Sequence, residues 1–127
     1  MASRLLLIRH AAIEGAERPL LVGATDLPAG PQGLRDLQRL AGTLAHFSPE
    51  AWFCSPLLRA RQSVARLGEF CETAQAFVLD ERLREIDFGR WELKSFAEIA
   101  AMGQDLLPGW AEYEAFTFPG GESVATF

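Results

Sequence analysis

The chain has 127 residues, 49% of them hydrophobic, which is enough for one globular domain with a sizeable core and excludes general disorder. Twelve Lys and Arg residues against 17 Asp and Glu residues give a net charge of −5, so no basic nucleic-acid-binding face is indicated. There is no apolar stretch long enough for a signal peptide or a membrane span, and two cysteines are too few for a disulfide framework. We therefore expect a cytoplasmic protein that binds neither nucleic acid nor membrane.

The first predicted strand is the apolar run Leu5–Ile8, which is too short for a helix and suits a parallel strand covered on both faces. Arg9 and His10 follow it directly. Ligands of open α/β sheets bind outside the carboxyl ends of the strands, so this pair stands where a binding site is expected. Taken alone, such a pair is more often a polar surface cap than a site.

The next segment, residues 11–30, contains several Gly and Pro residues and is predicted to be a long functional loop. A helix is predicted to begin near Pro31, because Leu and Ala recur at three- and four-residue steps. Ser48-Pro49 is expected to end this helix.

The apolar run 51–54 predicts a second strand, and Ser55-Pro56 behind it predicts a helix with Ser as N-cap and Pro at its first position. That helix should end at about Cys71, before a third strand over 76–79. Two β-α-β units with right-handed crossovers follow, and they indicate an α/β fold.

Beyond the third strand the pattern changes. Residues 83–92 mix charged and aromatic residues without a clean period and predict a structured loop. Ser95 with Glu98 is a capping-box signature for a short helix. The predicted elements of this part are a helix over 96–102, a second helix over 110–116, and a turn over 119–123 that leads into a new helix.

Two further residues occupy the same topological position as the Arg9-His10 pair. Arg59 lies in the first turn of the second predicted helix, near the end of the second strand, and Glu85 follows the third strand. Each taken singly is an ordinary surface residue. Together, three successive strand ends supply Arg-His, Arg and Glu, which is the set needed for phosphoryl transfer through a covalent intermediate.

Five motifs in this order resemble the histidine phosphatase (phosphoglycerate mutase-like) superfamily over nearly the whole chain. They are Leu-Ile-Arg-His at 7–10, Gly-Ala-Thr-Asp-Leu-Pro at 23–28, Ser-Pro-Leu-Leu-Arg-Ala-Arg-Gln-Ser at 55–63, Leu-Arg-Glu-Ile-Asp-Phe-Gly-Arg-Trp-Glu at 83–92 and Pro-Gly-Gly-Glu-Ser at 119–123. The Phe-Gly-Arg-Trp-Glu version is most similar to small bacterial phosphatases such as α-ribazole phosphatase. The resemblance implies a single domain over residues 1–127 with a three-layer α/β/α architecture and a mostly parallel sheet.

The resemblance also implies roles for particular residues. His10 is the expected nucleophile that becomes phosphorylated, Arg9 and Arg59 are expected to grip the phosphoryl oxygens, and Glu85 is the expected general acid. No metal or cofactor is implied. Secondary site residues on the same resemblance are Gly23, Thr25 and Glu122.

An acid role for Glu85 requires partial burial against neighbours such as Phe88 or Trp91. Departures from the family pattern include Ala11 after the histidine and Leu93 after Trp-Glu, where many members have Gly. Because no Arg-Arg pair for a second substrate phosphate follows Trp91, a phosphatase is favoured over a mutase.

The family completes its phosphate pocket with a second histidine after a later strand, and that strand lies between strands one and two. This sequence has no such histidine beyond the Gly-Gly-Glu-Ser motif, and His46 is expected to be an ordinary residue at the end of the first helix. We therefore expect a C-terminally incomplete fold with impaired activity. Its exposed central strands would favour pairing with a partner chain, for example in a homo-oligomer.

The predicted function is hydrolysis of a small phosphorylated metabolite, a phosphomonoester, through a phosphohistidine intermediate. One alternative is phosphoglycerate mutase-type phosphoryl transfer. The other is a non-catalytic module that uses the pocket for phosphate binding or assembly.

Overall fold

The computed structural model describes residues 3–103 and 112–127. The chain divides into two compact units, and it has an α/β fold in which helices accompany a parallel sheet. The first unit comprises Met1–Glu14 and Leu27–Arg82, and the second comprises Gly15–Asp26 and Leu83–Phe127. The chain therefore passes from one unit to the other three times, and neither unit is a continuous segment.

The helical region of the first unit begins at Pro31, as the sequence predicts. Helix α1 covers Pro31–Asp36, a 3-10 turn covers Leu37–Leu40, and helix α2 covers Ala41–Phe47. Ser48 ends α2 in the left-handed conformation, with φ of 49°, and donates its N–H to the carbonyl of Leu44 at 2.9 Å. The predicted start and stop are confirmed, and the 3-10 turn divides what the periodicity predicted as one helix.

Two short strands form a parallel pair in the first unit. Strand β1 covers Trp52–Cys54 and strand β2 covers Phe77–Leu79, with Phe53 opposite Val78. These strands confirm the second and third strands predicted from the sequence. Helix α3, Leu58–Leu67, connects them, so one β-α-β unit is present.

The predicted limits of α3 are wrong at both ends. Ser55 does not cap a helix that starts at Pro56. Its hydroxyl accepts the N–H of Leu57 at 3.4 Å, and this bond closes a turn that precedes the helix. Leu57 is the extended residue before the helix, and no side chain caps it. The helix ends at Leu67 and the chain continues in turns, which stops it short of Cys71.

The prediction of a strand at Leu5–Ile8 is also wrong. Among the described residues, β1 and β2 form the only ladder, and this segment has no strand partner there. Burial alternates along the segment, because Leu6 and Ile8 pack against the core whereas Leu5 and Leu7 are 81% and 83% exposed. The run is therefore covered on one face only, and the first predicted β-α-β unit is not formed.

The core of the first unit lies between the helices and the inner face of this segment. Its buried apolar residues are Ala11, Ala29, Leu37, Leu44, Cys54, Val64, Leu67 and Ala74. Residues from the start of the chain, from α2 and from α3 thus share one core.

Helix α4 of the second unit covers Phe96–Met102, as predicted. Its capping box is complete, because the hydroxyl of Ser95 accepts the N–H of Glu98 at 3.2 Å and the Glu98 carboxylate accepts the N–H of Ser95 at 2.8 Å. Leu93, just before this helix, has φ of 60°. A non-glycine residue in this left-handed region is strained.

The core of the second unit is aromatic. The rings of Phe116 and Phe118 meet edge to face at 5.0 Å between centroids, and Trp91 and Phe118 do so at 5.6 Å. Trp91 and Phe118 are almost fully buried, at 1% and 0% exposure. The segment 83–92, predicted to be a structured loop, supplies part of this core and contains a 3-10 turn at Gly89–Trp91.

The last part of the chain contains turns. Residues 110 and 111 of the predicted helix over 110–116 lie outside the described residues, and the described part contains a 3-10 turn at Tyr113–Ala115. The predicted turn over 119–123 is confirmed, because Phe118 donates its N–H to the carbonyl of Glu122 at 2.9 Å. The helix predicted after it is limited to a turn over 124–126. Across the described ranges, no helix is long and apolar enough to cross a bilayer.

Candidate active site

The first unit brings His10 and Arg59 together, as predicted, although the run Leu5–Ile8 before His10 forms no strand within the described part of the chain. Arg59 is the second residue of α3 and its side chain is 1% exposed. Its Nε donates a hydrogen bond to Nε2 of His10 at 3.3 Å, although 49 residues separate the two in sequence. A buried guanidinium therefore faces one nitrogen of a partly buried imidazole.

The partners of the two ring nitrogens assign the tautomer of neutral His10. Arg59 Nε can only donate, so Nε2 of the ring is the acceptor. Nδ1 lies 2.8 Å from the carbonyl oxygen of Ala11, which can only accept. The ring proton therefore resides on Nδ1, and the lone pair is on Nε2.

Ser63 fixes this arrangement from the interior of α3. Its hydroxyl accepts the N–H of Ala11 at 2.8 Å and donates to the carbonyl of Arg59 at 2.6 Å. The side chain is buried, so one hydroxyl joins the residue after His10 to the helix turn that carries Arg59. The sequence showed Ser63 only as the last letter of a motif, and nothing in its spacing predicts these bonds.

The segment that follows His10 is held by two further contacts. Gly30 donates its N–H to the carbonyl of Ala12 at 2.8 Å. A Cβ on Gly33 of α1 would lie 2.5 Å from the same carbonyl oxygen, so only glycine allows the helix to approach this closely. Helices α1 and α3 thus contact the same short stretch from separate points of the chain.

Arg9 has a different environment from His10. Its residue is exposed and borders an apolar groove of about 280 Å³ that lies along the start of the chain. Leu6, Leu40 and Leu44 are among the other residues that line the groove. A role for Arg9 in binding phosphoryl oxygens stays a prediction from the resemblance.

Glu85 lies in the second unit and is exposed. Its Oε1 accepts the N–H of Ile86 at 3.0 Å. The expected partial burial against Phe88 or Trp91 is wrong, because both of those rings pack into the aromatic core instead. The catalytic role of Glu85 itself stays a prediction.

Glu122 binds the backbone of the segment that contains Glu85. Its Oε2 accepts the N–H of Asp87 at 2.9 Å, and its own N–H donates to the Asp87 carbonyl at 2.9 Å. Asp87 Oδ1 in turn accepts the N–H of Gly89 at 2.8 Å. In the second unit Glu122 therefore joins the 119–123 turn to residues 87–89.

The carboxylate of Glu92 organises the loop that contains Gly23 and Thr25, which we name the 23–25 loop. Glu92 Oε2 accepts the N–H of Gly23 at 3.1 Å, the N–H of Thr25 at 3.4 Å and the Thr25 hydroxyl at 2.7 Å. Glu92 Oε1 accepts the N–H groups of Ala24 at 2.9 Å and Phe88 at 3.0 Å. Sequence reasoning missed this residue, because the bonds to the loop span 67 to 69 residues.

Burial raises the pKa of Glu92, but the hydrogen bonds from the Thr25 hydroxyl and from the N–H groups of Phe88, Gly23 and Thr25 outweigh it, so its pKa lies below the ordinary value. The loop also fits closely: a Cβ on Gly23 would lie 2.1 Å from the carbonyl oxygen of Ile86. Glycine is therefore required at this position for the loop to meet residues 86–88.

Two other titratable groups belong to the structure rather than to a site. His46 lies at the exposed end of α2, where its Nδ1 is 2.6 Å from the Gly42 carbonyl, as expected of an ordinary helix residue. Burial raises the pKa of the Cys54 thiol, and the charge of Arg61 opposes that effect. Within residues 3–103 and 112–127, no three His, Cys, Asp or Glu side chains are grouped so that they could hold a metal ion.

Comparison with known proteins places this geometry in a family context. Residues 5–127 match the sequence description of the histidine phosphatase superfamily (branch 1). A bifunctional protein of Mycobacterium tuberculosis is 35% identical over 122 residues, which is 95% of this chain and 33% of that protein. Glucosyl-3-phosphoglycerate phosphatase of Mycobacterium tuberculosis is 29% identical over 122 residues, which is 96% of this chain and 54% of that enzyme.

Solved structures show the same likeness. Mycobacterial glucosyl-3-phosphoglycerate phosphatase superposes on 90% of this chain with a TM-score of 0.75 and 26% identity, over 53% of its own length. A phosphoglycerate mutase from Thermus thermophilus superposes on 94% of this chain with a TM-score of 0.71 and 30% identity, over 63% of its length. The chain thus spans between a third and about two thirds of the proteins that it matches.

Proposed function

Because the chain belongs to branch 1 of the histidine phosphatase superfamily, we propose that it hydrolyses a phosphomonoester through a phosphohistidine at His10. The observation that carries the proposal is the contact between Arg59 Nε and His10 Nε2 at 3.3 Å. It combines a nucleophilic nitrogen with a buried cation that can stabilise negative charge on phosphoryl oxygens.

In the proposed first step, the lone pair of His10 Nε2 attacks phosphorus as the bond from phosphorus to the ester oxygen breaks. Guanidinium groups of Arg59 and Arg9 offer hydrogen bonds to the non-bridging oxygens in the transition state. The departing alkoxide takes a proton from the carboxylic acid of Glu85. The products of this step are an alcohol, a phosphohistidine and the Glu85 carboxylate.

In the second proposed step, water attacks the phosphohistidine and transfers a proton to Glu85. The bond from phosphorus to Nε2 breaks, and its electron pair returns to the imidazole. Inorganic phosphate leaves and both residues regain their starting forms. His10 thus acts first as nucleophile and then as leaving group, and Glu85 acts first as general acid and then as general base.

The proposed substrate is a small phosphorylated metabolite. The name of the mycobacterial relative, glucosyl-3-phosphoglycerate phosphatase, and the likeness of the 83–92 motif to small bacterial phosphatases such as α-ribazole phosphatase support this class. We place the reaction in the cytoplasm, because the chain's two cysteines are free thiols.

Phosphoglycerate mutase-type transfer is the second candidate, favoured by the superposition on the Thermus thermophilus mutase. A mutase would isomerise 3-phosphoglycerate when a bisphosphate primer is present, whereas a phosphatase would release inorganic phosphate from it. The absence of an Arg-Arg pair after Trp91 supports the phosphatase.

The test is incubation with an aryl phosphate, followed by measurement of phosphate release and of acid-labile, base-stable phosphate on the protein. We expect both signals to be lost in His10→Ala and kept in His46→Ala, since the chain has two histidines and His46 is a helix-end residue. Phosphate binding without turnover or phosphohistidine would indicate the non-catalytic module. Labelling that survives in His10→Ala would reject the proposed nucleophile.

A further inference from the structure

Three consecutive backbone N–H groups of the 23–25 loop point to one side chain. Successive N–H groups that converge in this way form a concavity that binds anions. In this chain the anion is internal, because the carboxylate of Glu92 accepts all three groups and the Thr25 hydroxyl as well. The loop conformation therefore depends on a negative charge supplied from another part of the second unit.

The same carboxylate has a second connection. Glu92 Oε1 also accepts the N–H of Phe88 at 3.0 Å, three residues after Glu85. The backbone of Gly23 lies directly against the Ile86 carbonyl, where a Cβ would be only 2.1 Å away. One carboxylate thus joins the 23–25 loop to the stretch that follows Glu85.

We infer that Glu92 is a positioning residue, whose carboxylate acts as an internal anion that fixes the 23–25 loop against the backbone next to Glu85. The part of this inference that concerns catalysis rests on the proposed function, since it takes Glu85 as the acid and the loop as part of the site. The part that concerns loop conformation rests on the five hydrogen bonds alone.

Charge and geometry both contribute to this role. Glutamine has nearly the same shape, but its amide nitrogen carries two donors and would face N–H groups that need an acceptor. Alanine removes the carboxylate and leaves space that acetate could enter. A positioning role through an anion therefore predicts that acetate restores what Glu92→Ala loses.

The experiment compares the wild-type chain with Glu92→Ala, Glu92→Gln and the matched control Glu98→Ala. Glu98 lies in the same unit and also accepts backbone and hydroxyl hydrogen bonds, but it caps α4. The first readout is the set of backbone amide NMR resonances of Gly23, Ala24 and Thr25 with and without acetate. The second readout is kcat and KM for an aryl phosphate.

We expect both Glu92 variants to shift the loop amide resonances, and we expect acetate to reverse the shifts in Glu92→Ala only. We expect kcat to fall about 10²-fold in Glu92→Ala, to recover with acetate, and to change little in Glu98→Ala. Unshifted loop resonances in a folded Glu92→Gln would overturn the inference. Shifted resonances with an unchanged kcat would overturn the positioning role.

Failure of the proposed function gives a different pattern. If the wild-type chain neither hydrolyses the aryl phosphate nor forms phosphohistidine, the phosphatase proposal is rejected. The amide resonances and their response to acetate still decide whether Glu92 is the internal anion of the loop.

Discussion

At the scale of single residues, the buried hydroxyl of Ser63 links the segment that contains His10 to the helix that carries Arg59. Ser63 bonds to Ala11 on one side and to the Arg59 carbonyl on the other. Removal of the hydroxyl leaves a buried N–H without its acceptor, which is more costly than the loss of an exposed hydrogen bond. Ser63 therefore contributes to stability and joins the residue after His10 to the helix turn that carries Arg59.

We expect Ser63→Ala to lower the free energy of unfolding by about 1 to 3 kcal/mol and to lower turnover of an aryl phosphate. Urea unfolding monitored by Trp fluorescence measures the first effect and steady-state kinetics the second. Ser63→Thr keeps the hydroxyl and is the control. Equal losses in the Thr and Ala variants would mean that space at this position matters and the hydrogen bonds do not.

Leu93, like Ala11, stands where many family members have glycine, and the backbone conformation of Leu93 gives that departure a physical meaning. With φ of 60°, Leu93 adopts the left-handed conformation that glycine reaches without strain. Its N–H nevertheless donates to the Leu21 carbonyl at 2.7 Å. The backbone bond persists despite the strain.

We expect Leu93→Gly to be more stable than Leu93→Ala by about 1 kcal/mol, because both variants lose the side chain and only glycine loses the strain. Thermal unfolding of the two variants measures the difference. In an ordinary helical position the Ala variant is more stable than the Gly variant. Gly42 of α2 is such a position, since a new Cβ there meets nothing within 4 Å, and we expect Gly42→Ala to be stabilising. Greater stability of Leu93→Ala would contradict the left-handed assignment.

At the scale of elements, α4 shows which local signals are sufficient. Ser95 and Glu98 lie three residues apart, and each satisfies a backbone N–H of the other, so the whole motif is readable from adjacent sequence. The start of α3 could not be read in this way. The Ser55-Pro56 pair is compatible with either a cap or a turn, and the turn forms because the hydroxyl of Ser55 meets the N–H of Leu57.

The pKa of Glu98 lies below its ordinary value of 4.5, because the backbone N–H and then the hydroxyl of Ser95 donate to its carboxylate. The ionised Glu98 carboxylate therefore stabilises the folded state. This contribution is complete above the pKa of Glu98 in the unfolded state and is lost as the pH falls through its lower pKa in the folded state. We expect Glu98→Gln to be less stable than the wild type at pH 7, with a difference that shrinks towards zero as the solution is acidified. Urea unfolding at a series of pH values measures this difference.

Ser95→Ala should lower the free energy of unfolding by about 1 kcal/mol at pH 7, and Ser95→Thr should retain most of the capping energy. A pH-independent gap between Glu98→Gln and the wild type would contradict the capping account.

At the scale of the whole molecule, burial at the start of the chain is one-sided. Leu5 and Leu7 are exposed and, in the same unit, so are Phe53 at 63% and Val78 at 56%. Exposed apolar side chains on strand edges and faces favour association between chains. The homo-oligomer expected from the sequence has a physical basis in these residues and stays a prediction.

We expect Leu5→Lys to reduce concentration-dependent association, measured by sedimentation velocity, and to change the free energy of unfolding by no more than about 0.5 kcal/mol. The neighbouring Leu6→Lys is the control, because Leu6 packs against the core and a charge there should be strongly destabilising. Equal destabilisation by both substitutions would contradict the alternating burial of this segment.

The strand predicted at Leu5–Ile8 shows the limit of sequence reasoning about the fold. Its composition is correct for a strand, yet a strand exists only with a ladder partner, and none of the described residues pairs with this run. Site prediction has a similar limit. The approach of Arg59 to His10 is predicted correctly from the ends of two apolar runs, although only the second of these runs forms a strand. The bonds of Glu92 to the 23–25 loop are not predicted, because they join residues almost seventy positions apart.

The hydrogen bond between Ala11 and Ser63 cannot form until both residues have been synthesised during translation. It spans 52 residues, and at the usual pace of translation the Ser63 hydroxyl is synthesised roughly 3 to 10 s after the Ala11 amide. For that interval the growing chain carries His10 but not the helix that orients its ring. The contacts around His10 are therefore completed only after Ser63 has been synthesised.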